Sequence, residues 1–123
     1  MMNDLVIDTN VWIYAMDKGS SFYSTAQSII LNPDYNLFIT SKSISEFFAV
    51  TSKIRIPYTS SLDFYNELKK NAHILFPSEQ SLDIFKNLIQ KYHPNGNQVF
   101  DIEIVSIMLA HAIKNIATFN VSR

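Results

Sequence analysis

Three carboxylates stand out by where they fall in the sequence. Asp8 closes an apolar run, Leu5 Val6 Ile7, and is followed at once by a hydroxyl, Thr9, and an amide, Asn10. Glu46 falls in the first turns of a stretch with helical spacing, and Asp101 at the start of another. Oxygen ligands without thiolate or imidazole suit hard cations, Mg2+ or Mn2+. Such an ion lowers the pKa of a bound water and stabilises charge on a phosphoryl oxygen, so a phosphodiester can be hydrolysed without a protein nucleophile. It also answers a charge problem, because three acids in one pocket repel each other and a substrate phosphate alike. Each acid has a plainer explanation beside this one. Asp8 and Asn10 are both good helix N-caps, and Ser43 with Glu46 matches a capping box.

For these side chains to meet, the chain must bring a strand end and two helix starts to one rim. The run Leu5–Ile7 fits a strand buried on both faces of a parallel sheet, whose ligand crevice lies at the carboxyl ends of its strands. Short runs at Leu37–Ile39, Ile74–Phe76 and Ile116–Phe119 supply three more strands. Between them lie helical stretches. One covers Val11 to Met16; the next carries Phe22, Ala26, Ile29 and Ile30; a third carries Ile44, Phe47, Phe48, Thr51 and Ile54. Further stretches carry Leu62, Tyr65 and Leu68, then Leu82, Phe85, Leu88 and Ile89, the latter capped by Ser78. After a loop over 93–98 with Pro94 and Gly96, Asp101 opens a last helix carrying Ile104, Val105, Met108 and Ala112. Strands alternating with helices predict an α/β fold: three layers, α/β/α, around a central parallel sheet of four strands, with room in the topology for a fifth.

The bulk numbers agree with one ordinary folded domain over 1–123. The chain is 47% hydrophobic and 17% charged, with a formal net charge of −1. That balance excludes a disordered tail and gives no overall pull toward nucleic acid, so RNA or DNA would have to be held by local basic residues or a metal. There is no cysteine, which rules out disulfides, thiolate catalysis and thiolate zinc sites. No apolar run nears the ~18 residues needed to cross a membrane, and the N-terminus lacks a signal-peptide design, so a cytoplasmic protein is expected.

Ile7 Asp8 Thr9 Asn10, then Ser45 Glu46 Phe47, then Val99 Phe100 Asp101 with Ile104 after the glycine-containing loop, and finally Ala117 Thr118 Phe119 Asn120 together resemble the PIN domain. Size and layout are most similar to the toxin subunits of VapBC toxin–antitoxin systems, and the motifs run in order across essentially the whole chain. The resemblance implies a metal-dependent endoribonuclease, with Asp8, Glu46 and Asp101 as Mg2+ or Mn2+ ligands and Thr9, Asn10 and Thr118 in support. It further implies an RNA substrate, an antitoxin partner that covers the groove, and a homodimer. Two departures from the family pattern are visible. Position 120 is Asn where many PIN domains carry a further acid; Asn120 can ligate or orient a water but adds no charge. The final strand that the family usually adds has no residues left to form it.

Other residues have quieter expectations. Glu103 lies two positions beyond Asp101, about 200° around a helix, and is expected to be solvated. His73, His93 and His111 show no ligand spacing. Trp12, Phe47 and Phe48 are expected to pack under the site. Tyr14, Tyr58 and Tyr92 are candidates for stacking bases. Lys42, Lys53, Arg55, Lys69 and Lys70 read either as solvated helix faces or as a phosphate track. Two other functions remain open: a catalytically impaired PIN-like scaffold that binds RNA or protein, and a phosphatase of the haloacid dehalogenase type, whose Asp-x-Asp motif would require an acid where Asn10 stands.

Overall fold

In the computed structural model, residues 3–119 are described. Ten elements follow in the order β1 (Asn3–Ile7), α1 (Thr9–Met16), α2 (Tyr23–Leu31), β2 (Tyr35–Thr40), α3 (Ser41–Lys53), α4 (Tyr58–Asn71), β3 (Ala72–Leu75), α5 (Glu79–Tyr92), α6 (Gln98–Ala110) and β4 (Ile116–Ala117). The four strands form one sheet in the order β3-β2-β1-β4, every neighbouring pair parallel. A fifth strand is not present among the described residues.

The period of two along each strand sorts side chains onto two cores. Leu5 and Ile7 of β1, with Leu37 and Ile39 of β2, face a cluster completed by Val11, Trp12, Ala26, Phe47 and Leu68 from α1 to α4. Val6, between them, faces the other way, joining Leu75, Ile104, Ile107, Met108 and Ile113. A sheet with apolar clusters on both faces is the three-layer arrangement expected from the sequence. Val6 and Ile7 have no exposure at all, and burial of each contributes roughly 1.5–3 kcal/mol.

The strand order decides where the site lies. The chain steps from β1 to β2 to β3 in one direction and then returns across the sheet to place β4 on the far side of β1. The order therefore reverses between β1 and β4, and crevices open at the carboxyl ends of strands flanking such a reversal. The Val6 N–H donates to the Asn115 carbonyl at 3.0 Å and the Asp8 N–H to the Ala117 carbonyl at 3.0 Å, so β1 and β4 are stitched together up to Asp8 itself.

Helix starts explain several differences from the sequence expectation. Helix α3 begins directly where β2 ends: Thr40 is in extended geometry and its side chain accepts from the Ser43 N–H, at 3.1 Å. Ser43 therefore does not cap the helix, and Glu46 is not the far half of a capping box. A true capping box occurs at α5, between Ser78 and Ser81. Helix α6 starts at Gln98, so Asp101 belongs to its first turn and does not open it.

Candidate active site

Asp8 sits at the point where the strand order reverses, and it serves as a cap as well. It is the N-cap of α1, only 6% exposed, and its Oδ1 accepts from the Thr9 N–H at 2.7 Å. Its Oδ2 accepts from the Thr118 hydroxyl at 2.8 Å, a bond between residues 110 apart in sequence. A carboxylate offers about four acceptor positions, so two such bonds fix its direction and are compatible with cation ligation. The helix N-terminus beside it further favours negative charge there.

Thr9 joins the second carboxylate to the first. Its hydroxyl, almost fully buried, lies 3.4 Å from Glu46 Oε2 and 3.4 Å from the Ser43 carbonyl, both on α3. Glu46 itself is half-buried. The buried ring of Phe47, next in the chain, stacks on Phe64 at 5.5 Å and holds this helix against the sheet.

Asn10 acts on the main chain beyond β4. Its Nδ2 donates to the Phe119 carbonyl at 2.8 Å, its Oδ1 accepts from the Phe119 N–H at 3.3 Å, and Nδ2 also lies 3.4 Å from Thr118 Oγ1. This clamp fixes the main chain just beyond β4, which is only two residues long because its partner β1 ends at Ile7 and turns into α1. Replacing Asn10 by Ala is expected to lower stability by about 1–3 kcal/mol, since it removes two main-chain bonds. Urea denaturation measures this; a midpoint equal to that of the unmodified protein would show that the clamp carries no weight.

Asp101 is exposed on the first turn of α6. That turn is tied to α3 by Lys42, whose Nζ lies 4.0 Å from the ring centroid of Phe100. Lys42 is one helical turn before Glu46, so the first turns of α3 and α6 share the rim that carries Asp8. No group of three or more His, Cys, Asp or Glu side chains placed to hold a metal ion occurs among the described residues. The linked pair is Asp8 and Glu46, an all-oxygen donor set suited to a hard cation. Asp101 stands beside it. Asn120 lies outside the described residues.

Several secondary expectations are corrected here. Glu103 is half-buried and lines a partly open cavity between α5 and α6. Tyr14 packs at 4.9 Å from Phe22 and 5.5 Å, edge-on, from Phe119, so its ring belongs to the core and cannot stack a base. The basic residues do not form one track. Lys53 is about 16 Å along α3 from Lys42, and Lys69 and Lys70 directly precede β3 at the opposite edge of the sheet, with Lys70 paired to Glu67 at 3.3 Å. His73 packs on Phe38, His93 ends α5 in a left-handed conformation, and His111 is bonded to the Ile107 carbonyl, each a structural role. The contact of Lys42 with Phe100 had no signal in the sequence beyond the residue types.

A family model for the PIN domain matches residues 5–121. Solved structures with a similar fold include the toxin VapC20 of Mycobacterium tuberculosis, which cleaves the sarcin–ricin loop, at a TM-score of 0.75 and 12% identity, covering 94% of this chain and 89% of that one. A chain of Rickettsia felis VapBC2 bound to a DNA fragment from its promoter superposes with a TM-score of 0.71 at 17% identity, covering 95% and 88%. A chain of VapBC-1 from nontypeable Haemophilus influenzae gives 0.67 at 22%, covering 95% and 87%. No curated protein matches the chain in sequence.

Proposed function

Since the chain belongs to the PIN domain family, we propose that it is an endoribonuclease dependent on Mg2+ or Mn2+ and the toxin of a toxin–antitoxin pair. The observation that carries this reading is the linkage at the strand-order reversal. Asp8 is held from one side by Thr118 and from the other by the α1 terminus, and Glu46 is tied to the same turn through Thr9. Asp8, Glu46 and Asp101 would hold the cation, with Asn120 as a further oxygen donor. When bound, the ion supplies an activated water and stabilises charge on the scissile phosphate.

The chain's own residues do the rest. Thr118 and the Thr9 N–H orient Asp8, and Thr9 Oγ1 orients Glu46; such outer bonds fix ligand direction and are worth roughly 10–100-fold in metal affinity or activity. Lys42 adds a positive charge at the rim for a phosphate of the RNA. The fold neighbours VapC20, VapBC2 and VapBC-1 support a toxin role, an RNA substrate and an antitoxin partner for this chain as well. No helix among the described residues is long and apolar enough to cross a membrane, which accords with the cytoplasm as the site of action. We further infer a single catalytic domain over 1–123, acting as a homodimer.

The test is cleavage of a mixed RNA pool in Mn2+, in Mg2+ and in EDTA. Cleavage with either metal and none in EDTA is expected. The competing reading is an impaired scaffold that binds RNA or protein, for which the neutral Asn120 in place of a further acid speaks. Absence of cleavage by folded protein in both metals would decide for it. A haloacid dehalogenase-type phosphatase is disfavoured by Asn10, whose amide is spent on the Phe119 main chain.

A further inference from the structure

We propose that the cavity where the first turns of α5 and α6 meet is a subsite for an unstacked guanine base of the RNA, with Phe100 as its stacking wall and Glu103 as the residue that reads it. The proposal rests on the ribonuclease reading above. The cavity encloses about 130 Å³ and is walled by Pro77, Leu82, Phe85, Val99 and Phe100. A single water needs only about 10–15 Å³ on the same measure, so the space has room for a group several times larger. Phe100 is 41% exposed, lines the cavity and immediately precedes Asp101 in the first turn of α6.

Complementarity to a nucleotide comes from three groups in sequence across the rim. Lys42 Nζ, 4.0 Å from the Phe100 centroid, offers a cation for the phosphate. The Phe100 ring offers a π-face for the base, a contact worth about 1–3 kcal/mol. Glu103 is the charged residue that lines the cavity. The two serine hydroxyls in the lining are already committed to main chain, Ser81 to Ser78 and Ser106 to the Ile102 carbonyl. A carboxylate has acceptors only. Guanine presents two parallel donors, N1–H and N2–H, on its Watson–Crick edge, the edge that proteins read in single-stranded RNA. Adenine and the pyrimidines present no such pair. An apolar protein side chain would use the walls and leave both Lys42 and Glu103 without a role.

The probe is hexauridylate, fluorescently labelled, alone or with one central guanosine, adenosine or cytidine, followed by anisotropy in EDTA so that nothing is cut. The protein is expected to bind the guanosine oligomer about tenfold more tightly than the adenosine one. Phe100→Ala should weaken every oligomer about tenfold, and Phe100→Tyr should restore it. Glu103→Gln should erase the guanine preference, read as the ratio of the affinities for the guanosine and adenosine oligomers. If both Phe100→Ala and Glu103→Gln bind as the unmodified protein does while the RNA pool is still cleaved, the subsite is overturned alone and the cavity is left to a protein side chain. If the unmodified protein neither binds the oligomers nor cleaves the pool, the ribonuclease reading falls with it.

Discussion

Asp8→Asn is expected to abolish metal-dependent RNA cleavage, by about a thousandfold or more, while leaving the fold nearly as stable as before. The two effects separate because Asp8 does two jobs. As a cap it accepts from the Thr9 N–H, and Asn caps a helix about as well as Asp; its amide can also take up the Thr118 hydroxyl. As the proposed cation ligand it would contribute the charge that Asn lacks, and loss of a metal-borne interaction of several kcal/mol corresponds to at least that rate factor. Asp8→Ala, by contrast, should lose about 1–2 kcal/mol of stability in addition, since the cap disappears and the Thr118 hydroxyl loses its acceptor. Single-turnover cleavage and urea denaturation, measured on both variants, check the pair of expectations. An Asn variant that cuts RNA at the normal rate would remove Asp8 from the site.

The second large effect is on stability. Phe47→Ala is expected to cost about 3–5 kcal/mol, read as a lowered urea midpoint at unchanged slope. The ring is 1% exposed, stacks on Phe64 at 5.5 Å and meets Phe48 edge-on at 5.4 Å. Its removal leaves a hole between α3, α4 and the sheet that a neighbouring backbone cannot close. Domains are stable by only about 5–15 kcal/mol, so a substantial share of the margin goes with one side chain. The same hole frees the helix carrying Glu46, so residual folded protein should cleave RNA poorly in proportion to more than its folded fraction. A midpoint shifted by under about 1 kcal/mol would mean that the ring is not the wedge its burial indicates.

How far the sequence led depends on the range of the interaction. Asp8 at a strand end and Glu46 on a helix were legible because local periodicity fixes both. Four parallel strands and the helices between them followed from the same patterns. Strand order is another matter: β1 and β4 pair across most of the chain, and nothing in either run names its neighbour. The bond from Thr118 to Asp8 depends on that order, so Thr118 was legible as a motif residue without its partner. Capping was misassigned at α3 because the strand runs straight into the helix, which hands the cap to Thr40. Glu103 was read as solvated from its angle relative to Asp101. The angle held no information about α5, which packs on that side and leaves Glu103 half-buried at a cavity between the two helices.

The Thr118–Asp8 bond also has a consequence in time. Asp8 and Thr118 are 110 residues apart in sequence, and loop closure over such a separation is slow compared with local helix formation. Until β4 is in place, Asp8 has neither the strand that flanks it nor the hydroxyl that orients it. The contact that orients Asp8 therefore forms only once β4 has been laid beside β1.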